Sequence, residues 1–412
     1  MSFGGAPRVL ICRLVGGARH MRWPLGVAAL ATTAGGCQLL GGIGDFELEA
    51  PGDAAADGGG ADAHAVPDGA GDHAGDVALA CDAGLACSGA CVDVTRDAKN
   101  CNRCGHGCQG GACEAGVCQP VTLASGQGVP QNIAVDDVSV YWTNSLDGVV
   151  VKVPLGGGNV TTLASGQSGP AGVAVDATSV YWADEGDVSG SNGSVMKVPI
   201  DGGSVTTLAS GQSNPQNVAV DPVNAYWTNS VTPGAVMKVP LGGGTATALA
   251  SGLSSPVGIA VDATRVCWAD LGDGSLMAVP VGGGSAITLA SGQLQLWDVA
   301  VDEASVYWAE HVSGGPVMKV PLGGGSTTTL ASGQSTPMSV AVDAASVYWT
   351  NFGTAADNFM DGTVMSAPLD GGTATTLASE QSTPVSIVVD ATSVYWLDVV
   401  GSGNAVMKVA KP

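Results

Sequence analysis

One motif recurs seven times and fixes most of what this chain can fold into. A unit reads TTLASGQSxPxxVAVDATSVYWAD, then a variable stretch, then VMKVPLGGG. Its tryptophan recurs at Trp142, Trp182, Trp227, Trp268, Trp308, Trp349 and Trp396, at spacings of 40, 45, 41, 40, 41 and 47 residues. The aspartate of VAVD recurs in step at Asp136, Asp176, Asp221, Asp262, Asp302, Asp343 and Asp390. A repeat of this period means stacked supersecondary units that bury their faces only against their neighbours.

Each unit holds four short β-rich runs, VAVD, SVYW, VMKVP and TTLA, separated by turn residues. The Gly-Gly-Gly link permits positive φ at a tight turn. No unit has a helical period. Four antiparallel strands per repeat predict an all-β, seven-bladed β-propeller, preceded by a small disulfide-rich module. The ends predict closure. A lone TLASG (Thr122–Gly126) opens the region and VMKVA (Val406–Ala410) ends it. If VAVD is the inner strand and TTLA the outer, the first TTLA completes the last blade and leaves no exposed edge.

The motifs Pro-x-x-[VI]-A-V-D and Y-W-[TA]-[ND], as in Tyr141-Trp142-Thr143-Asn144 and Tyr181-Trp182-Ala183-Asp184, resemble the YWTD-type propeller of low-density-lipoprotein-receptor-like proteins. The resemblance spans about 290 residues. It implies the fold and says little of function, because propellers host many roles. That family usually has six blades, and seven are counted here.

The N-terminal part has a different composition. Residues 1–36 read as an export signal, with Arg8, Arg13, Arg19 and Arg22 before an apolar stretch. Met21 is the expected true start. Ala34-Gly35-Gly36-Cys37 resembles a bacterial lipobox, which would make Cys37 the lipidated residue; the alternative is a plain cleaved signal. Residues 37–80, rich in Ala, Gly and Asp, cannot bury enough apolar area to fold and are expected to be a flexible tether. Residues 81–119 carry Cys81, Cys87, Cys91, Cys101, Cys104, Cys108, Cys113 and Cys118. An even count in an exported chain predicts disulfides of undetermined connectivity. The rival is zinc, at Cys101-x2-Cys104-Gly-His106-Gly-Cys108, but no second C-x2-C stands at zinc-ribbon distance. The module resembles short cysteine-rich repeats of exported myxobacterial-type proteins. Residues 120–412 form the propeller. The resulting expectation is an exported bacterial cell-envelope protein, an outer-membrane-anchored lipoprotein or a surface protein.

Composition excludes several functions. With 36 acidic and 14 basic residues the net charge is −22, which excludes a nucleic-acid partner that needs a basic surface. No apolar run after residue 40 is long enough for a membrane helix, so membrane contact is expected only through the lipid anchor. The molecule is expected to be monomeric.

Residues common to all units read as packing. One ring of each Tyr-Trp pair is expected to fill the gap between blades, and each VAVD aspartate to cap the following turn. A ring of seven channel carboxylates is the functional rival. Cys267 stands where six units have Tyr and is expected to be a buried, unpaired thiol. Residues that break the pattern are the candidate site. Unit length varies between YW and VMKVP, so that face is expected to bind. Its long loops carry Asp184 and Glu185 in one blade, and Phe352, Phe359, Met360 and Asp361 in another. With Trp297 and His311 these are the ligand-binding candidates, suited to an envelope or extracellular protein, peptide or glycan. The bland reading is a hydrophobic cap. No catalytic residue or metal-ligand set is assigned, because His311 is the one histidine of the propeller. No cofactor is expected; calcium on Asp and Asn oxygens has no supporting motif. The alternatives to a binding or scaffold module are a propeller hydrolase or lyase acting at the channel mouth, and a purely structural surface protein.

Overall fold

Every VAVD–YW–VMKVP–TTLA unit folds as one four-stranded antiparallel sheet. The computed structural model describes residues 84–88, 90–187, 191–399 and 403–412. The signal, Cys37, the tether and Cys81 lie outside the described residues. In the first blade the strands are Pro130–Val135, Ser139–Asn144, Val149–Pro154 and Thr161–Ala164, hydrogen-bonded in that order. Five more sheets repeat this order. The last is made from both ends: Pro384–Val389, Ser393–Asp398 and Ala405–Ala410 are joined by Val121–Ala124, with Val406 opposite Ala124 and Lys408 opposite Val121. The fold is a seven-bladed propeller closed by its own N-terminal strand. One 3-10 turn, Ala355–Asp357, is the sole helical piece among the described residues.

The YW strand alternates faces, so its two rings serve two interfaces. Tyr141 packs with Trp182, Tyr181 with Trp227, Tyr226 with Trp268, Tyr307 with Trp349, Tyr348 with Trp396, and Tyr395 with Trp142. All seven tryptophans are fully buried. At the one interface without a tyrosine, Cys267 meets Trp308. There Leu276 and Leu296 stand where other units carry Val and Pro, and both are fully buried. Added volume at two positions offsets the lost ring. Cys267 is a free buried thiol, its pKa pushed up to about 12 by burial.

Three polar contacts recur within and between the blades, and they absorb the repeated polar residues. First, each VAVD aspartate caps its turn. Asp136 Oδ1 accepts from Val138 N–H and Ser139 N–H, and its Oδ2 accepts from the Tyr141 hydroxyl at 2.9 Å. The carboxylates are therefore spent on turns and tyrosines, not arrayed in a channel. Second, the Trp142 indole donates to Gln127 Oε1 of the SGQ turn at 3.0 Å, and five other blades repeat this bond. Third, the lysine of the VMKVP strand donates to a backbone carbonyl of the next blade: Lys152 to Ile200, Lys197 to Leu241, Lys238 to Val281, Lys319 to Leu369 and Lys408 to Leu155.

Two blades lack that lysine, and each carbonyl is met from elsewhere. Ala278 replaces it in the fourth blade, and Arg265 reaches Leu322 O instead. Ser366 replaces it in the sixth, and the carbonyl of Lys411 is met by His106 of the cysteine module. That module holds the disulfides Cys87–Cys104, Cys101–Cys113 and Cys108–Cys118, and Cys91 is also disulfide-bonded. The sulfurs of Cys101, Cys108 and Cys118 cluster as metal ligands would, but each is already in an S–S bond and offers no thiolate. Cys101, Cys108, Cys113 and Cys118 share one core with Tyr348, Trp396 and Val409, so the module packs on the blades that close the ring. Arg103 donates to Pro412 O, and Lys411 pairs with Asp343.

Candidate functional site

The inner strands of all seven blades present residues that follow the Pro (Leu296 in the fifth blade) to a shared cup, two from each blade except the fourth, which gives one. Its lining includes Gln131 and Asn132, Ala171 and Gly172, Gln216 and Asn217, Val257, Trp297 and Asp298, Met338 and Ser339, and Val385 and Ser386. The cup encloses about 140 Å³. That is below the ~300 Å³ of a site holding a whole drug-sized ligand, so it admits one group of a larger ligand. Gly172 and Gly258 allow the inner strands to approach. A Cβ on Gly172 would stand 2.5 Å from Asn217 Cα, and one on Gly258 2.7 Å from Asp298 Cα.

The cup has two unlike halves. The first and third blades contribute amides. Gln131 donates to Ser145 Oγ at 3.1 Å, and Gln216 to Glu185 Oε1 at 2.7 Å. Asn132 Oδ1 accepts from Val173 N–H, and Asn217 Oδ1 from Val218 N–H. The later blades contribute Trp297 and Met338, both part-exposed. Asp298 is the one ionisable residue of the lining. Burial pushes its carboxyl up, against hydrogen bonds from Ser339 and from the Val340 and Val299 N–H groups.

Trp297 begins an aromatic arc running outward from the cup. Its ring meets His311 edge-on at 6.5 Å, His311 meets Phe352 at 5.5 Å, and Phe352 meets Phe359 at 5.4 Å. Edge contacts of this kind are the favoured aromatic geometry. Burial lowers the His311 pKa and so favours the neutral ring, against a backbone hydrogen bond at Pro337. Phe352 also packs on the core between the last and first blades, so its inner side serves as a cap. Met360 is 47% exposed beside Phe359.

The remaining candidates are placed differently. Asp184 is buried in the blade interior, where desolvation raises its carboxyl to about 6 against hydrogen bonds from the Trp182 indole and Ser168 N–H. It is not presented to a ligand. Glu185 is half-buried, raised by desolvation, and held by Gln216 at the rim of the cup. Asp361 accepts from Thr354 N–H and Oγ1, which fastens its own loop. The arc thus brings together Trp297, His311, Phe352 and Phe359, with Asp361 fastening the loop that carries Phe359, and leaves Asp184 apart. The amides of the cup were missed in the sequence. The repeated dipeptide Gln-Asn after Pro130 and Pro215 was the available signal.

The fold and its site define a class: a seven-bladed β-propeller, capped at its closure by a disulfide-bonded module, with an amphipathic cup at one mouth. No protein-family model matches the chain. No curated protein matches it either. Among solved structures it is similar to a streptogramin B lyase, with a TM-score of 0.58 and 13% identity over 71% of this chain and 97% of that one. It is similar to a virginiamycin B lyase from Staphylococcus aureus, with a TM-score of 0.58 and 11% identity over 71% of this chain and 99% of the other. A chain of a nidogen/laminin complex aligns at 24% identity, with a TM-score of 0.42, over 48% of this chain and 77% of that one. At such identities the likeness concerns the fold alone.

Proposed function

We propose that this protein is an exported, envelope-anchored binding module of the YWTD kind, and not a catalyst. Its propeller binds a protein, peptide or glycan on the face where loop length varies. The observation that carries this reading is the continuous arc Trp297–His311–Phe352–Phe359, which starts in the cup and ends beside exposed Met360. Aromatic side chains set among exposed polar groups are the usual anchors of recognition surfaces. Export is supported by the disulfides, which persist in oxidising compartments. Binding is preferred over turnover because His311 is wedged between two rings and Asp298 is tied to Ser339. Catalysis would need such groups free to move protons at a substrate.

The test is a screen of peptide, envelope-protein and glycan ligands against the purified protein. Trp297→Ala and Phe359→Ala are expected to abolish binding and leave the thermal transition cooperative. Loss of the fold in both variants would assign the arc to capping alone. Ligand turnover by the intact protein would overturn the binding reading.

A further inference from the structure

The cup repeats one acceptor–donor pair two blades apart. Gln131 and Gln216 each spend their NH2 group on a neighbour, Ser145 and Glu185, and their carbonyl Oε1 atoms have no protein donor among the described residues. Asn132 and Asn217 each spend Oδ1 on a backbone N–H, and their Nδ2 groups have no protein acceptor among the described residues. Each Gln-Asn pair therefore offers one acceptor and one donor from two consecutive residues of the lining. Between them the second blade carries Ala171 and Gly172, which add no polar side chain to the lining. Across the cup stand Trp297 and Met338.

A ligand that satisfies this arrangement needs groups that donate and accept from one edge, and an apolar face opposite. A hydroxyl does both at once, and adjacent hydroxyls match adjacent Oε1 and Nδ2 groups. The lining has no cation to hold an anionic group. Its one carboxylate, Asp298, already accepts from Ser339 and Val340. The enclosed 140 Å³ holds one ring, not a folded chain.

We propose that the cup is a subsite for one ring of a neutral saccharide, with its hydroxyl edge on Gln131, Asn132, Gln216 and Asn217 and its C–H face on Trp297. This rests on the binding reading above and narrows its ligand. The full-length protein in detergent is titrated calorimetrically with neutral oligosaccharides of glucose, galactose, mannose and N-acetylglucosamine, with their uronic-acid counterparts, and with a peptide library. Asn132→Asp and Asn217→Asp keep an acceptor for the backbone N–H and replace the amide donor with a carboxylate oxygen, so they test the site without emptying it. The expected result is binding of a neutral oligosaccharide that weakens about tenfold in either Asp variant and is lost in Trp297→Ala. Saccharide binding indifferent to both Asp variants overturns the subsite. Trp297-dependent capture of a peptide, with no saccharide bound, overturns the saccharide and leaves the binding reading intact. No ligand in any class overturns both.

Discussion

His106 Nε2 is hydrogen-bonded at 2.7 Å to the backbone carbonyl oxygen of Lys411, 305 residues away in sequence. The bond fills the place that a lysine takes in five other blades, and it joins the cysteine module to the strand that closes the ring. Nδ1 of the same ring meets Cys101 O at 2.6 Å. His106→Ala should cost about 1–2 kcal/mol and lower the melting temperature by a few degrees in calorimetry. Reducing the disulfides should lower it further, because Cys101 and Cys113 share a core with Tyr348 and Trp396. An unchanged melting temperature in the reduced protein would mean that the module contributes nothing to the propeller.

The fourth blade makes the same link with a different residue. Arg265→Ser should leave Leu322 O without its donor and cost about 1 kcal/mol. Adding Ala278→Lys to that variant should restore most of the loss, because lysine at this position makes the bond in five other blades. Denaturant unfolding of the single and double variants gives the coupling directly.

Leu253 interrupts the glutamine series, and the Trp268 indole N–H is consequently buried without a partner. A buried orphan donor costs about 1–3 kcal/mol. Leu253→Gln should recover about 1 kcal/mol of that, seen as a raised denaturation midpoint at unchanged m-value. Asp262 Oδ2 is orphaned in the same blade, where Cys267 stands in place of its tyrosine partner.

Asp398 is 8% exposed, and burial raises its carboxyl to about 7 from the ordinary 3.8. The folded chain therefore keeps a proton that the unfolded chain releases. That stability is complete below about pH 4 and is lost as the pH rises to about 7. Asn144, Asn229 and Asn351 occupy the same position in other blades. Asp398→Asn should thus raise the melting temperature at pH 8, leave it nearly unchanged at pH 4, and flatten the profile between. A lower melting temperature at pH 8 would show that the carboxylate itself is needed.

Much of the architecture is legible in the repeat itself. Seven matching tryptophans gave the blade count, and the unpaired TLASG segment gave the closure. The aspartates of VAVD were readable as turn caps because such contacts are local, within three residues. The cup was not readable in the same way. Gln131, Gln216, Trp297 and Met338 occupy one repeat position with dissimilar side chains, and one repeat taken alone does not show that they face a common space.

The sequence by itself determined the blade, because a period of about 41 residues with alternating strands can bury its Tyr and Trp rings only against like neighbours. It also determined that the chain closes on its own first strand. Only the tertiary structure decided how the exceptions are resolved. Lysine, Arg265 and His106 come from three unrelated places in the chain, yet each brings a donor to the same carbonyl position in its own blade. A hydrogen bond constrains where a donor ends, not where in the sequence it begins, so such substitutions become visible only once the ring is built.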